Sequence, residues 1–420
     1  MIKTGISISL FGPFGSGNLG DAAIQDAVIY NIKKHLPFAR IFAFSHNPED
    51  TQARHRIKTF PISRPAISDL SDELIINRKS LVWLRNVPLA EKMINKIQSV
   101  IDEVKFFLKS FHILKDIDIF IFSGGGQLDD YWGGPWGHPY MLLRWAFLAK
   151  IAGTKIVFLS VGADSIKYRL SRIFIKRALL LSDYRSYREC VTRMYVENLG
   201  IKKRNFVFPD PAYSLHINGG IRLNMTSSGQ KTIGISPIAA AACPNVSESH
   251  YENYLDELVS LSCQLLRKKY EILFIPSQVL MDSPIISRVV RKVKDRCGSD
   301  FSGKIVEGQI SDLNEFLHLV SRVDMVIASR LHGVLLSSLM YKPILAISCN
   351  RKVEILMSDL EFPEYCVDIH NFNSIDAIQF MVSLDNDRES IIRHLQSKVR
   401  LFKTALDQQY KSLFADYAAN

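Results

Sequence analysis

Short apolar runs alternate along the chain with longer segments whose apolar positions recur at helical spacing. The runs at 5–11, 40–44, 117–122, 155–160, 232–236, 271–275, 325–328 and 343–347 predict strands, with shorter ones at 183–188 and 206–208. The segments 21–35, 140–152, 174–181, 254–268 and 316–321 predict helices, the first with an apolar face at Ala23, Ala27 and Ile32. Strands that alternate with helices and end in glycine-rich loops imply a parallel sheet. Residues 215–230 are rich in Asn, Ser and Gly and read as a linker between two such α/β units. The domain reading is therefore 1–215 and 230–382, with a last helix near 383–408, in the segment 383–420, that returns toward the first domain.

One stretch resists the pattern. In 88–110, Ile94, Ile97, Ile101 and Val104 recur among lysines and glutamates, and Trp83, Phe106, Phe107 and Phe111 add aromatic bulk nearby. The spacing suits helices packed on the domain; a basic face against a membrane or a lipid-linked substrate is the competing reading.

Composition narrows the class. The chain has 420 residues, 47% hydrophobic and 22% charged, as in an ordinary globular protein too long for one core. A formal net charge of +10 favours anionic partners. No zinc-finger spacing or repeated basic-aromatic module points to nucleic acid. The six cysteines are scattered and form no CxxC, which predicts reduced thiols in a cytoplasmic protein and no structural zinc. The N-terminus has no signal-peptide pattern, and no stretch approaches the length of a membrane-spanning helix.

The candidate chemistry lies at the predicted strand ends. Ser329-Arg330-Leu331-His332-Gly333 follows an apolar run, so a guanidinium and an imidazole stand at the edge where open α/β sheets bind ligands. Arg330 can grip a carboxylate or phosphate through paired N–H donors, and His332 can give a proton near neutral pH. With an extended backbone, both side chains project to one side. The alternative for His332 is a structural histidine. Lys342 and the pair Arg351-Lys352 add charge downstream and read as solvated.

Residues 15–20 match GxGxxG, the dinucleotide pattern, but the acidic residue expected at the end of the second strand is missing. Asp21 also puts a carboxylate where a pyrophosphate would sit, which argues against NAD. Asp21 is a helix cap or first-turn residue, or it joins Asn18 in binding sugar hydroxyls. Ser123-Gly124-Gly125-Gly126 lets the backbone approach a ligand, and the Asp129, Asp130, Tyr131, Trp132, Trp136 and His138 that follow suit a carbohydrate surface or a turn with packed aromatics. Arg188, in Ser186-Tyr187-Arg188-Glu189, is either a structural ion-pair member or a second cation for an acidic ligand.

Taken in order, residues 12–21 with Asn18-Leu19-Gly20-Asp21, then Ser123-Gly124-Gly125-Gly126, Ser186-Tyr187-Arg188-Glu189, Ser329-Arg330-Leu331-His332-Gly333 and Lys342-Pro343 resemble the polysaccharide pyruvyl transferase family. The resemblance spans about residues 5–355. It implies a GT-B-like fold of two Rossmann-like domains facing across a cleft, with the acceptor side N-terminal and the donor side C-terminal. It implies transfer of a pyruvyl group from phosphoenolpyruvate to a sugar of a polysaccharide or its precursor, forming a pyruvate ketal. His332 would be the general acid, Arg330 and Arg188 the donor-binding arginines, and Gly124, Gly125, Gly126 and Ser329 would line the donor. Asn18, Asp21, Asp129 and Trp132 would meet the acceptor, Asp21 also serving as a base. Phosphoenolpyruvate is then a co-substrate, with no metal and no other cofactor. The acceptor would be a sugar, an oligosaccharide or a lipid-linked saccharide, and peripheral contact with the inner membrane face and homo-oligomers stay open. The family often has Arg-Asp at Arg188-Glu189 and His at Pro276-Ser277-Gln278. A nucleotide-sugar glycosyltransferase of GT-B fold and a noncatalytic saccharide-binding protein are the alternatives.

Overall fold

The computed structural model describes residues 5–418 apart from 13, 16, 65–87, 165, 203, 218–229, 299–300 and 302–303. Trp83, Ser16 and most of the expected linker lie outside the described residues. Contacts divide the chain into two compact units: Met1–Ser16, Leu36–Val207 and Tyr417–Asn420 form one, and Gly17–His35 with Phe208–Asp416 form the other.

The first unit is built on a seven-stranded parallel sheet. Its strands are β1 (Ser7–Phe11), β2 (Arg40–Ser45), β3 (Lys58–Pro61), β4 (Ile119–Ser123), β5 (Lys155–Val161), β6 (Tyr184–Tyr187) and β7 (Asn205–Val207), in the order β3-β2-β1-β4-β5-β6-β7. β1 and β4 are buried along their whole length, because helices cover both faces of the sheet. These helices are α2 (Pro48–His55), α3 (Pro88–Leu114), α4 (His138–Ile151), α5 (Arg169–Leu181) and α6 (Cys190–Asn198). The core is aromatic. Phe44 and Trp145 approach to 4.5 Å between ring centroids, and Phe122 stacks on Phe158 at 4.3 Å. The buried indole of Trp145 donates to the Ile62 carbonyl at 3.0 Å, so no donor is stranded there.

α3 realises the helix expected in 88–110. Phe106, Phe107 and Phe111 pack on the core, and the Arg144 guanidinium lies over the Phe106 and Phe107 rings. Of the recurring aliphatic positions, Ile97, Ile101 and Val104 are exposed. The rings bury more area per residue than the aliphatic positions and add cation–π contacts, so they take the inner face.

The second unit opens with α1 (Leu19–His35) and continues with β8 (Thr232–Ser236), α7 (Glu248–Arg267), β9 (Glu271–Phe274), α8 (Val279–Cys297), β10 (Ile305–Glu307), α9 (Leu313–Ser321), β11 (Met325–Ala328), α10 (Leu331–Leu339), β12 (Ile344–Ser348), α11 (Arg351–Asp359), β13 (Cys366–Asp368), α12 (Ser374–Asn386) and α13 (Arg388–Ala418). Its six strands are parallel, in the order β10-β9-β8-β11-β12-β13. Each sheet therefore has one reversal of strand order, at β1/β4 and at β8/β11, and such a switch point opens a crevice at the carboxyl edge.

Three expectations need correction in this unit. The single helix expected at 383–408 is two, α12 and α13, separated at Asp387, which caps α12. Lys342 is buried, not solvated: its ammonium donates to the carbonyls of Ser321 and Val323 at 3.0 and 2.6 Å, and burial pushes its pKa down to about 8. Cys263 and Cys297, distant in sequence, are joined as a disulfide, because α7 and α8 pack side by side and bring their Cα atoms to 6.1 Å. The expectation that all six cysteines are reduced does not hold for this pair.

Candidate active site

Five segments of the second unit converge at the carboxyl edge of its sheet. Arg330 is the N-cap of α10 with an extended backbone, and Leu331 and His332 are already helical. The expected strand-like alternation of Arg330 and His332 therefore does not occur, because the helix starts immediately after Arg330. The two side chains take different supports.

Arg330 forms a paired contact with Asp282 in the first turn of α8, Nε to Oδ2 at 2.7 Å and Nη2 to Oδ1 at 2.6 Å. Asp282 is fully buried and also accepts from the backbone N–H groups of Gln278 (2.8 Å) and Ala239 (3.2 Å). Its carboxylate is thus fixed by the loops after β8 and β9. It holds a guanidinium whose side chain stays 18% exposed. A planar cation pinned on one edge can offer the other to an anion without losing rotamer freedom on binding.

His332 rests on the start of α1. A Cβ built at Gly20 would fall 2.0 Å from Nδ1 of His332, so only glycine admits the ring there. Nε2 lies 3.9 Å from Oδ2 of Asp210, a buried carboxylate in the loop before residues 211–214. The imidazole keeps 15% of its surface. The third glycine of the GxGxxG match thus has a packing role toward His332. Exchanging Gly20 for alanine should displace the ring and lower kcat at least tenfold, while the thermal midpoint moves by only a few degrees; a variant with unchanged kcat would show that the ring position is unimportant.

Asn18 and Asp21 stand beside this contact. Asn18 caps α1, accepting from the Gly20 N–H at 3.0 Å, and its amide donates to Asp21 Oδ2 at 2.9 Å. Asn18 also bridges in antiparallel fashion to Gln278, at the end that carries Asp282. Of the expected residues, His332, Arg330, Asn18 and Asp21 are therefore gathered in this unit. Ser329 is buried beneath them, with its hydroxyl 2.9 Å from that of Tyr254. Asp282 and Asp210 were not singled out from the sequence. Asp282 reads there as an ordinary first-turn acid; only the setting of Asp210 between Pro209 and Pro211 hinted at a fixed carboxylate.

The charge of Arg330 also reaches two thiols. The neighbouring Cys243 and the Asn350 amide hold Cys349 below the usual thiol range, while the neighbouring Cys349 and burial push Cys243 up.

The remaining expected residues belong to the first unit. Gly124 and Gly125 have φ of 55° and 69°, which side-chain-bearing residues rarely adopt. The Gly124 N–H donates to Leu159 and the Gly125 carbonyl accepts from Gly162, so the glycine loop is stitched to the end of β5. Arg188 is buried; its Nε lies 3.2 Å from Glu189 Oε2, and its guanidinium fills the space a side chain at Gly162 would need. Glu189 in turn accepts from Thr192 at 2.8 Å. Asp129 accepts from the Tyr131 N–H at 3.2 Å, and Trp132 is exposed.

His138, at the start of α4, is buried with Nε2 3.0 Å from the Gln127 side-chain oxygen. Burial, with a smaller push from His46, lowers its pKa to about 4. Its folded value lies below the unfolded 6.5, so the unfolded chain binds the extra proton as pH falls. Its contribution is intact above about pH 6.5 and is lost progressively toward pH 4, by on the order of 3 kcal/mol. Urea midpoints measured between pH 7.5 and 4.5 should fall, and a His138→Gln variant should show a flatter dependence; equal slopes would refute this assignment.

The family model for polysaccharide pyruvyl transferase matches residues 18–351, from the Asn18 cap to the start of α11. The chain belongs to the polysaccharide pyruvyl transferase family. It is an enzyme that transfers a pyruvyl group from phosphoenolpyruvate, its co-substrate, to a sugar or polysaccharide acceptor. No curated protein matches it in sequence. Among solved structures it is similar to the UDP-GlcNAc 2-epimerase of Neisseria meningitidis bound to UDP-GlcNAc (TM-score 0.56, 11% identity, 93% of each chain covered). It is also similar to the UDP-GlcNAc 2-epimerase of Methanocaldococcus jannaschii (0.53, 11%, 95% of this chain and 92% of that one). A glycosyltransferase of Rickettsia africae gives 0.53 at 12% identity, with 98% of this chain and 99% of that one covered. At these identities the likeness shows the fold: two Rossmann-like domains of the GT-B-like class.

Proposed function

We propose that the chain closes a pyruvate ketal across two hydroxyls of one sugar unit, with His332 as the acid and Arg330 as the anchor of the donor. The observation that carries this reading is the pair's setting at the β8/β11 switch point, the guanidinium pinned by buried Asp282 and the imidazole backed by Asp210.

Phosphoenolpyruvate carries a carboxylate and a phosphate, and Arg330 holds one of them through its free edge. His332 delivers a proton to the methylene carbon, which becomes a methyl group and leaves positive charge at the adjacent carbon. A sugar hydroxyl attacks that carbon and gives up its proton to a base, for which Asp21 is our candidate. The C–O bond to phosphate then breaks, inorganic phosphate leaves, and the second hydroxyl attacks the same carbon and closes the ring, its proton passing to the departing phosphate. Arg188 is the second donor-binding arginine in this scheme, with the backbone at Gly124, Gly125 and Gly126 and Ser329 lining the donor. Asn18, Asp129 and Trp132 meet the acceptor. The scheme needs no metal and no further cofactor. It puts the enzyme in the cytoplasm, where phosphoenolpyruvate is made, and at the inner membrane face as a peripheral protein when the acceptor is lipid-linked.

Incubation with phosphoenolpyruvate and a panel of sugars, with UDP-sugars as the control donor, tests the reading. Stoichiometric phosphate and a new ketal methyl resonance are expected with at least one acceptor. Phosphate release without that resonance, or turnover of the UDP-sugar alone, would overturn it.

A further inference from the structure

Three helices of the first unit cover one core cluster and turn further apolar side chains outward. α4 packs against both α3 and α5. On α4, Leu142, Trp145 and Leu148 are buried, while Phe147 and Ile151, one turn apart, point away from the core. On α5, Ile175, Ala178 and Leu179 are buried, and Ile173 and Leu180 face outward. The outer side of α3 adds Ile97, Ile101, Val104 and Leu108. These eight side chains are between 43% and 60% exposed, although the inner faces already supply the core. Single exposed apolar residues are ordinary; a set of them on adjoining helices marks an interaction surface.

The charge on this face has one sign. Arg144 and Lys150 on α4, with Arg169, Arg172, Lys176 and Arg177 on α5, are not matched by a single Asp or Glu in either helix. Arg169, Arg172, Ile173, Lys176, Arg177 and Leu180 recur at i, i+3, i+4, i+7, i+8 and i+11, so cations and apolar groups share one stripe of α5. The acids nearby are already paired. Asp183 meets Lys150 at 3.0 Å, Glu103 meets the buried Arg144 at 2.9 Å, and Asp102 meets Arg64 at 3.7 Å. Arg169 and Arg177 on α5, and Lys105 and Lys109 on α3, stay exposed around the apolar groups.

We infer that the outer face of α3, α4 and α5 docks the protein on an anionic lipid bilayer. Phe147, Ile151, Ile173 and Leu180 enter the boundary between headgroups and acyl chains, and the arginines and lysines around them reach the phosphates. Long cationic side chains suit that boundary, because their stems are apolar and their heads are charged. Charge complementarity chooses this occupant over two others. A second copy seated on the face would set the cations of α5 against like charges. A nucleic acid would satisfy the cations but would leave the apolar groups without a dry partner. The docking face is independent of the ketal chemistry, since α4 and α5 carry none of the residues assigned to donor or acceptor. It makes membrane contact a property of the protein itself, whatever sugar it modifies.

The test is co-sedimentation of the full chain with vesicles of phosphatidylcholine alone and of equal phosphatidylcholine and phosphatidylglycerol. Binding to the anionic vesicles should be at least tenfold tighter. Each cation at such a surface is worth about fivefold, so Arg169→Gln with Arg177→Gln should weaken binding by about 25-fold. Phe147→Ser with Leu180→Ser should weaken it by about tenfold or more. All four positions are exposed, so both double variants should keep the wild-type thermal midpoint. Equal binding to the two kinds of vesicle, or wild-type binding by either double variant, overturns the docking face. A lipid-free dimer that Phe147→Ser with Leu180→Ser converts to monomer overturns it in favour of a second copy. Weakening by the arginine pair alone, matched by weaker binding of polyuridylate, overturns it in favour of a nucleic acid. Phosphate release from phosphoenolpyruvate on soluble sugars reports on the ketal reading separately: its absence with every sugar would fail that reading and leave the vesicle result standing.

Discussion

His332→Gln lowers kcat for phosphate release by about 10²–10⁴-fold, the range that a positioned general acid supplies. Glutamine keeps hydrogen-bonding atoms in the space beside Gly20 and Asp210 but has no proton to give near neutral pH. The KM for phosphoenolpyruvate should change little, because Arg330 keeps its paired contact with Asp282 and its free edge. An interaction made only in the transition state appears in kcat and not in binding. A merely structural histidine predicts the opposite division: a lowered thermal midpoint and a normal kcat in the molecules that remain folded. Asp210→Asn should give a smaller loss of kcat, as expected of a group that acts by positioning the ring. Full activity in His332→Gln would remove the imidazole from the chemistry.

Asp282→Asn destabilises the protein by about 3 kcal/mol and raises the KM for phosphoenolpyruvate at least tenfold. Its carboxylate is fully buried and compensates a guanidinium while accepting two backbone N–H groups. Removing one partner of such a pair costs about 3–5 kcal/mol, since the other charge stays behind without compensation. The partial exposure of Arg330 puts the expected value at the lower end. The thermal midpoint should drop by about 6–12 °C. Asp256→Asn is the control: this carboxylate pairs with Lys292 at 2.7 Å in an exposed setting, and its loss should move stability by less than about 0.5 kcal/mol. The KM effect separates the guanidinium's role in holding the donor from a purely structural pair. Without Asp282 the Arg330 side chain regains its rotamers and no longer presents a fixed edge. An unchanged KM in folded Asp282→Asn would sink Arg330 as the donor anchor.

Much of this architecture was legible along the chain. Fully buried parallel strands such as β1, β4, β11 and β12 read as plain apolar runs, because both their faces are covered and no alternation survives. The glycine loops and the Arg330 and His332 pair were visible because they interrupt those runs at strand ends. The short edge strands β3, β10 and β13 were not resolved, since only a few residues each, partly exposed, carry no periodic signal. The inner face of α3 was not legible, because helical spacing alone offers both the aliphatic stripe and the aromatic one, and only the neighbouring Arg144 and Trp145 decide between them.

Local sequence determined the α/β class, the position of each major strand end, and the residue types that could bind an acidic donor and move a proton. Those follow from near-neighbour physics: apolar periodicity, backbone freedom at glycine, and the chemistry of single side chains. The tertiary structure alone decided which partners fix that chemistry. Asp282 reaches Arg330 across 48 residues of sequence, Asp210 reaches His332 from another loop, and Gly20 is glycine because an imidazole lies against it. The same holds for the disulfide between α7 and α8. Such contacts arise only when separate segments arrive at one sheet edge, and no pattern within any of those segments encodes the meeting.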